Sequence, residues 1–347
     1  CWLGGPAIED ARRCFHAAGI PTYDTPEEAV RAFSMILTYR RNQAQLMQAP
    51  PACEPQALDV AAAQAIIDGV LAAGREWLTE PEAKALLASV GIAVAQTRVV
   101  GTDPHAAAIG AQGIGFPVAL KILSHDITHK SDVGGVALGL EDAEAVHKAA
   151  ILMLQRVALA RPGARIEGFT VQAMVRRPQA VELIVGASVD PLFGPVILFG
   201  QGGTAVEVVA DRALALPPLN PPLARALISR TRVARLLAGW RDVPPADLDA
   251  VVRVLTRLSE LLALEPRLAE LDINPLLATT DDAIALDGPV LVGQPDERAG
   301  QPPRHAVAGY LHPVRVRLAQ ARGEARELCH RSGEAHRTHL REGFDAP

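Results

Sequence analysis

Lysine is scarce in this chain, which takes most of its positive charge from arginine. Of the 34 lysine and arginine residues among 347, only four are lysine, at positions 84, 121, 130 and 148. A lysine ammonium is a compact point charge and a guanidinium is a planar fork, so the two are not interchangeable at an anion site. The retained lysines therefore either mark such sites or reflect codon bias. Two of them lie in one short segment, KILSHDITHKSDVGGV.

Three other absences exclude classes of protein. No apolar run approaches the about 18 residues that cross a bilayer, so a membrane partner is not expected. The formal net charge of -5 offers no basic footprint for nucleic acid. The four cysteines lack the spacing of a zinc site or a disulfide framework, and no secretory signal precedes them. A reducing cytoplasm fits these features best.

The length and the 49% hydrophobic content predict two ordinary domains. Residues 1–48 are typical of the last strand and helix units of an α/β domain. Because the chain starts with cysteine and not methionine, we expect it to be a fragment of a longer protein. Thr25, Pro26 and Glu28 predict the start of a long helix. Residues 49–60 open with the proline-rich stretch APPACEP, which predicts a linker.

From residue 61 the pattern alternates between short apolar strands and amphipathic helices. Thr79 and Glu82 form a second helix-capping signature, and Gly91 predicts a left-handed helix end. We expect strands at residues 93–100, 117–123, 133–139, 168–175, 182–189, 195–199 and 283–286, and helices at 104–111, 142–158, 222–238 and 246–264. The strands at 168–175 and 182–189 are too close for a crossover helix. They are therefore expected to pair antiparallel in an α+β layout.

The tail after Gly288 follows neither helical nor strand periodicity. Five of the ten histidines and none of the four lysines fall within it, so we expect weak or no packing there. One hypothesis is that the reading frame is lost near residue 290. Residues 293–347 would then be an atypical, disordered or frameshifted segment.

Two features of the lysine-containing segment point to phosphoryl transfer. Lys121 closes the apolar strand FPVALK, where its ammonium would meet a nucleotide phosphate; the alternative is a surface lysine. His129 sits in a polar loop and can accept a phosphoryl group near neutral pH; the alternative is an exposed or structurally satisfied histidine. Gly134 and Gly135 let backbone approach a ligand closely, although a tight turn would also explain them.

Two further clusters could contribute to an anion or metal site. The segment FGQGGTAVEVV follows a short strand and could contact phosphate or carboxylate, although a hairpin explains it nearly as well. In ELDIN, alternation places Glu270, Asp272 and Asn274 on one strand face, and with Asp287 they offer the oxygen ligands that Mg²⁺ prefers. The alternative is a polar strand face. Glu182 could accept hydrogen bonds from a ribose or an amine, or could be solvated.

Together these motifs resemble the nucleoside-diphosphate-forming acyl-CoA synthetases, specifically the ATP-grasp region of ADP-forming acetyl-CoA synthetase and, more distantly, the succinyl-CoA synthetase β subunit. The resemblance is carried by LTEPEAKALLASVGI, GFPVALKI, HKSDVGGV, EGFTVQAMV, ELIVGASVDPLFGPVILFGQGGTAVEV, LLAGWRDVPPADL and ELDINPLL. It implies an ATP-grasp fold over residues 61–292. GIPTYDTPEEAVRAF implies that residues 1–48 end a flavodoxin-like CoA-ligase domain. The expected fold class is thus α/β followed by α+β.

The resemblance also implies roles for single residues. His129 falls on a phosphohistidine that relays a phosphoryl group between ATP or ADP and the acyl-CoA site. Lys121 matches the nucleotide-phosphate lysine, and Asn274 and Asp287 match two magnesium ligands. The other nucleotide-binding positions implied are a hinge strand whose backbone meets the adenine, a glutamate and a glycine loop: Val171, Gln172, Ala173, Met174, Val175, Glu182, Gly202 and Gly203.

The implied small molecules are ATP or ADP, Mg²⁺, CoA, phosphate, and an acyl-CoA or carboxylic acid whose acyl group is undefined. Upstream CoA-binding domains, in cis or as a separate α subunit, would complete the ligase, and a homo-oligomer stays open. One alternative is a regulatory synthetase-like module of a protein-lysine acetyltransferase fusion, which would not need a histidine at position 129. A truncated product without function is a third interpretation.

Overall fold

The structure is a computed structural model that describes residues 8–47, 58–127, 130–175, 177–190, 192–203 and 210–293. The chain divides into two compact units, Cys1–Glu54 and Pro55–Pro347. The first unit is helical in its described part, and the second contains two β-sheets.

The described part of the first unit forms two helices, α1 (Glu9–Ala17) and α2 (Pro26–Leu46). The predicted start of α2 is confirmed, because Thr25 Oγ1 accepts the N–H of Glu28 at 3.2 Å. The Glu28 carboxylate in turn accepts the N–H of Asp24 at 3.1 Å. Proline at the first helical position and acidic residues in the first turn favour this start, since the unpaired N–H groups and the helix dipole are compensated there.

The second unit opens with α3 (Val60–Ala72) and α4 (Glu80–Ser89). The predicted capping box begins α4, where the N–H and hydroxyl of Thr79 donate to the Glu82 carboxylate at 2.7 and 2.8 Å. Gly91 follows the helix end with a φ of +75°, as its position predicts. The remaining helices are α5 (Pro104–Ile114), α6 (Ala143–Ala160), α7 (Pro221–Ser229), α8 (Ala234–Leu237) and α9 (Leu248–Leu264).

Two antiparallel sheets organise this unit. The small sheet has the order β1 (Thr97–Val100), β4 (Gly168–Ala173), β2 (Val118–Leu123), β3 (Val136–Leu140). The large sheet has the order β10 (Val290–Val292), β8 (Leu268–Ala278), β5 (Val181–Asp190), β6 (Gly194–Gln201), β7 (Arg212–Ala215), and β9 (Ala283–Ala285) pairs with β8. Every pairing between these named strands is antiparallel, which confirms the α+β layout.

The expected pairing of 168–175 with 182–189 is wrong, because β4 and β5 belong to different sheets. The apolar residues of β4 enter the core between the small sheet, α5 and α6, whereas those of β5 enter the core beneath the large sheet. Between the end of β4 at Ala173 and the start of β5 at Val181, the chain passes from one sheet to the other. The two strands are neighbours in sequence but serve separate hydrophobic cores.

The central strands of the small sheet, β2 and β4, bury side chains on both faces. One face is apolar, and the other, called the polar face, carries polar side chains besides Ala119 and Leu123. Alternate residues of β2 and β4 enter the core: Val118, Leu120, Ile122, Phe169 and Val171. The intervening side chains point to the opposite face, since successive residues of a strand alternate. Lys121, Thr170 and Gln172 therefore share that face, and all three are buried. This polar face lies against α4, since Lys84 of that helix donates to Gln172 Oε1.

Two further expectations need correction. The predicted helix at 222–238 is broken into α7 and α8, because the buried Asp211 carboxylate accepts the N–H groups of Arg232 and Val233 at 2.7 Å each. The segment just after Gly288 is packed, since Val290 and Val292 of β10 are fully buried. The rest of the tail lies outside the described residues. No helix within the described ranges is long and apolar enough to span a bilayer.

Candidate functional site

A cleft of about 580 Å³ opens beside the polar face of the small sheet. Its wall comes from the start of α4, the end of β2, the turn after residue 130, and residues 287–289. The ionisable residues that line this wall are Arg75, Glu76, Glu80, Lys121, His125, Lys130, Asp132 and Asp287. Cations, carboxylates and one imidazole thus share a single concave surface.

Glu80, the first residue of α4, is buried and binds three of the four lysines in the chain. Its Oε1 accepts from Lys84 and Lys121 at 2.8 Å each, and its Oε2 accepts from Lys130 at 3.2 Å. Burial alone would raise the pKa of Glu80, but attraction to Lys121, Lys84 and Lys130 lowers it to about 2. The carboxylate is therefore ionised at neutral pH. Glu80, Lys84, Lys121 and Lys130 are called the lysine cluster from here on.

Lys121 lies inside its strand, so the prediction that it closes the strand is wrong: β2 continues to Leu123. Its side chain is only 10% exposed and reaches Asp287 as well as Glu80, with 3.3 Å between Nζ and Oδ2 of Asp287. Burial lowers the pKa of Lys121, but Asp287 and Glu80 together raise it above its ordinary value. Lys121 is thus a buried ammonium at the cleft wall that is charged at neutral pH.

Lys84 is the innermost lysine and has no place in the cleft wall. Its ammonium donates to Glu80, to Thr97 Oγ1 at 2.8 Å and to Gln172 Oε1 at 2.9 Å. Burial lowers the pKa of Lys84 despite the opposing attraction of Glu80. An ammonium has three donors, so all of them are used. Lys84 therefore fastens α4 to β1 and β4.

His129, the predicted phosphoryl acceptor, and Thr128 lie outside the described residues. Lys130, the next described residue, begins a tight turn through the short 3₁₀ helix Ser131–Val133. Gly135 closes this turn: its N–H donates to the Lys130 carbonyl at 2.7 Å, and its carbonyl accepts the N–H of Ile122 at 2.8 Å. The glycine pair thus makes a turn against β2, which places Lys130 beside the strand of Lys121.

We expect Gly135→Ala to displace this turn. An added Cβ would lie 2.8 Å from Ile122 Cγ2 and 2.9 Å from the Lys130 carbonyl oxygen, too close for either to tolerate. The cost in unfolding free energy should be about 1–3 kcal/mol, typical of overpacking. Chemical denaturation would measure it. Gly101→Ala is the matched control, because its Cβ would meet nothing within 4 Å. Equal stability of the two variants would contradict the prediction.

The glycine loop and the predicted glutamate meet at a second position. Gly202 N–H donates to the Glu182 carbonyl at 2.9 Å, and Gly203 N–H donates to Asn274 Oδ1 at 3.2 Å. Gly203 has a φ of +86°, which side chains rarely adopt, and a Cβ there would lie only 2.1 Å from Oε2 at the end of the Glu182 side chain. Glu182, Gly202, Gly203 and Asn274 are therefore in one group, while residues 204–209 of the loop lie outside the described part.

The two predicted metal ligands approach each other through the backbone. The segment carrying Asp287 runs beside β8, with Leu286 N–H donating to the Pro275 carbonyl at 3.1 Å and Asp272 N–H donating to the Pro289 carbonyl at 3.1 Å. Asp287 is therefore held opposite the stretch of β8 that carries Asp272 and Asn274. ELDIN alternates as predicted, since Leu271 and Ile273 enter the core of the large sheet.

These oxygen donors could supply part of the ligand shell of a magnesium ion, but not all of it. Within the described ranges, no group of three His, Cys, Asp or Glu side chains could hold a metal ion. Mg²⁺ commonly uses one or two protein carboxylates and completes its shell with water and substrate phosphates. Asp287 is half-exposed, and Asp272 Oδ1 is buried without a hydrogen-bond partner among the described residues. Such an unpartnered oxygen suits a cation nearby.

Asp272 should destabilise the protein at neutral pH in the absence of ligands. Burial raises its pKa from the ordinary 3.8 to about 7, and the charges of Glu270 and Asp287 add to this. The folded state thus binds a proton that the unfolded state has lost, and stability falls as pH rises from about 4 to about 7. The cost reaches at most about 4 kcal/mol above that range, at about 1.4 kcal/mol per pKa unit.

We therefore expect Asp272→Asn to be more stable than the wild type, by a margin that grows by about 2–3 kcal/mol between pH 5 and pH 8. Urea denaturation at both pH values, with EDTA and without nucleotide, would measure this margin. Asp281→Asn is the control, since Asp281 is exposed. A margin that is the same at both pH values would contradict the prediction.

The predicted hinge strand is only partly available to a ligand. Val171, Gln172 and Ala173 lie in β4, which pairs with β1 on one side and with β2 on the other. Met174 N–H donates to the Pro117 carbonyl at 3.0 Å. The backbone groups of this segment that could still meet an adenine are the Met174 carbonyl and those of Val175, where the chain leaves the small sheet.

Glu80 opens α4 and Lys84 lies within it, so the local sequence of neither residue indicates a role in the site. The lysine scarcity carried the missing signal: three of the four lysines converge on one acid. An acidic residue that opens a helix ordinarily interacts with the free N–H groups there, so the position of Glu80 in the sequence predicts a helix-start role and not a lysine-binding one.

The antiparallel sheets, with a buried lysine beside acidic and amide oxygens, define an ATP-grasp domain, and an ATP-grasp domain family model matches residues 69–292. Acetate–CoA ligase [ADP-forming] I of Archaeoglobus fulgidus is 35% identical over 298 residues, which cover 85% of this chain and 42% of that protein. The β subunit of acetate–CoA ligase [ADP-forming] I of Pyrococcus furiosus is 35% identical over 233 residues, which cover 67% of this chain and 99% of that subunit. The chain belongs to the ATP-grasp family of ADP-forming acyl-CoA synthetases.

Solved structures agree with this placement. Acetyl-coenzyme A synthetase 1 of Ca. Korarchaeum cryptofilum, in complex with coenzyme A, Ca-AMPCP and HgCl⁺, is 35% identical with a TM-score of 0.63, covering 67% of this chain and all of that chain. A second structure of that protein, with coenzyme A and Mg-AMPPCP, has a phosphohistidine segment pointing towards the nucleotide-binding site; it is 32% identical with a TM-score of 0.58, over the same shares. The chain spans less than half the length of the Archaeoglobus ligase.

Proposed function

We propose that this chain is the ATP-grasp part of an ADP-forming acetate–CoA-type ligase and that it exchanges a phosphoryl group between ATP and His129. The matched relatives support this assignment because they are ligases of that kind, and the Pyrococcus β subunit corresponds to this region almost completely. A regulatory module of an acetyltransferase fusion has no comparable support among them.

One observation carries the proposal. The lysine expected to meet phosphate and the carboxylate expected to hold magnesium are 166 positions apart in sequence, yet their charged atoms lie 3.3 Å apart at the cleft wall. A phosphate oxygen bound to a metal on Asp287 would lie within reach of Lys121. Phosphoryl transfer asks a protein mainly for such positioning and charge compensation.

The bonds made and broken in the transfer step belong only to the nucleotide and the imidazole. A lone pair on a neutral ring nitrogen of His129 attacks the γ-phosphorus, and an N–P bond forms as the bond to the β,γ-bridging oxygen breaks. ADP leaves with that electron pair, and the ring releases to solvent the proton on its other nitrogen. Lys121 stabilises charge on the phosphate oxygens throughout. The reverse step returns the phosphoryl group to ADP.

The remaining residues bind and orient the nucleotide in this proposal. Asn274 and Asp287 hold magnesium, which neutralises phosphate charge when bound. Glu182, placed against Gly203, accepts hydrogen bonds from the ribose hydroxyls, and the backbone of Met174 and Val175 meets the adenine. Gly202 and Gly203 keep that wall free of side chains, so that the nucleotide can approach the backbone.

The complete ligase would join this exchange to CoA chemistry that needs other domains. We propose that CoA-binding domains, preceding this chain or on a separate α subunit, form acyl phosphate and deliver its phosphoryl group here. Support comes from the Korarchaeum structure, in which a phosphohistidine segment points towards the nucleotide site. Residues 1–48 would be the end of such a domain, and 49–60 the linker to the ATP-grasp domain.

The direct test is incubation of the purified chain with γ-labelled ATP and Mg²⁺. A phosphohistidine is labile in acid and stable in alkali, so label with that profile is expected. Chasing with unlabelled ADP should return the label to ATP. Failure to take up any acid-labile label at millimolar ATP, by protein that is folded by circular dichroism, would sink the proposal.

A further inference from the structure

We propose that Lys130 is a second phosphate-binding lysine of the cleft and that Glu80 is the positioning residue that holds it on the same wall as Lys121. The proposal rests on the proposed function and deepens it, since the ligand is the polyphosphate chain of an adenine nucleotide. It assigns binding to a lysine outside the predicted set and a role to the buried acid beneath it.

The geometry places both ammonium groups on one carboxylate. Lys121 Nζ lies 2.8 Å from Glu80 Oε1, and Lys130 Nζ lies 3.2 Å from Glu80 Oε2. Because the two oxygens of a carboxylate are close together, the two cations are neighbours that would otherwise repel one another. Glu80, Lys121 and Lys130 all line the cleft. The acid thus fixes two like charges where a polyphosphate can bridge them.

Exposure of the side chains increases outward through the lysine cluster. Lys84 is 6% exposed, Lys121 is 10% exposed and Lys130 is 20% exposed. All three donors of the Lys84 ammonium bond to protein acceptors. The Lys130 ammonium bonds to one acceptor, Glu80, in the described part of the chain. An ammonium with donors to spare at the mouth of a cleft is placed for a ligand, while the inner lysine is placed for support.

Within the lysine cluster, the ammonium groups outnumber the carboxylates bonded to them, although Glu76 and Asp132 also line the cleft. Three ammonium groups are bonded to two carboxylates, those of Glu80 and Asp287. Asp287 is the more exposed of the two acids, at 48% against 4%, and is the one proposed to bind a divalent cation. Once that cation is in place, the lysines lack part of their counter-charge, which phosphate oxygens would supply.

Lys130 also follows His129 directly in the sequence. A lysine adjacent in sequence to the proposed acceptor can hold the γ-phosphate of the bound nucleotide.

Calorimetric titration with ADP·Mg²⁺ and ATP·Mg²⁺ tests the proposal without relying on phosphoryl transfer. We expect Lys130→Met and Glu80→Gln each to weaken nucleotide binding at least about tenfold, as loss of one charged contact commonly does. Because Glu80 acts through Lys130, the two losses should not add. The Glu80→Gln/Lys130→Met double variant should bind nucleotide at most about threefold more weakly than the single variant with the lower affinity. Glu80→Asp should recover part of the affinity.

Two matched controls separate binding from folding. Lys148→Met removes the remaining lysine, which is exposed and paired with Glu144 on α6, and should bind as the wild type does. Glu265→Gln removes a buried acid that is 4% exposed, like Glu80, but is paired with Arg267 and lies outside the cleft. Thermal melts on every variant report folding. If Glu80→Gln does not fold, Lys130→Met and Glu80→Asp still decide the question.

Wild-type affinity in Lys130→Met would overturn the proposal, and so would fully additive losses in the double variant. If the wild type binds no adenine nucleotide, the proposed function fails by itself, and the same variants are then titrated with inorganic pyrophosphate and Mg²⁺. A tenfold loss in that arm would uphold the paired lysines as a phosphate site. Equal binding by all variants would reject them.

Discussion

His129→Ala should take up no acid-labile label from γ-labelled ATP under conditions that label the wild type. The imidazole provides the attacking lone pair, and alanine offers no nucleophile in its place. Nucleotide affinity should change little, because the ring meets the γ-phosphate and not the rest of the nucleotide. The measurement is label retained after alkaline treatment and lost after acid treatment, together with calorimetric titration of ADP·Mg²⁺.

The competing acceptor is His125, which lines the cleft and lies 3.2 Å from the Glu167 carboxylate. His125→Ala should therefore be incubated with labelled ATP alongside His129→Ala, and it is expected to take up label as the wild type does. His105, exposed at the start of α5, provides the control for loss of a histidine away from the cleft. Label that persists in His129→Ala and disappears in His125→Ala would reassign the acceptor.

Lys121→Met should lower the rate of labelling by about a hundredfold to a thousandfold, the usual effect of removing one group that stabilises transition-state charge. Methionine keeps most of the apolar stem but leaves Asp287 without its cation. Lys121→Arg should fail as well, because the site is buried and a guanidinium fork cannot take the place of a compact ammonium there. Rapid-quench measurement of label against time would give both rates.

Lys148→Met is the matched lysine control for this series, since its ammonium is exposed on α6. It should label at the wild-type rate. Thermal melts are needed beside the rates, because Lys121→Met also removes a partner of the buried Glu80 carboxylate. Labelling of a folded Lys121→Met at close to the wild-type rate would refute the phosphate role of Lys121.

Local physical rules predicted much of this molecule. The capping boxes at Thr25 and Thr79 mark the helix starts, and strand alternation in ELDIN separates the buried apolar residues from the polar ones. Lys121, at an apolar strand, and Asp287, beside an Asn-Pro turn segment rich in acids, both stand out in the sequence as candidate site residues. In each case the signal lies within a few neighbouring residues, where hydrogen-bond geometry and side-chain period determine the outcome.

The parts that local rules could not predict depend on distant packing. Phe169 in β4 and Leu183 in β5 are both apolar strand residues, and nothing in either segment says that they enter separate cores. Glu80 opens a helix like many surface acids, and only the fold brings Lys121 and Lys130 to it from 41 and 50 positions away. The burial of a charged group depends on where its partners fold.

The concentration of lysine at one buried acid has a practical consequence for spectroscopy. A lysine-selective isotope label would give signals from only four side chains, three of them within one hydrogen-bonded network. Lys148 would serve as an internal reference on an exposed helix face. Because the chain uses arginine for most of its other cations, nearly all signals in such a spectrum would come from the lysine cluster and would report bound nucleotide and metal.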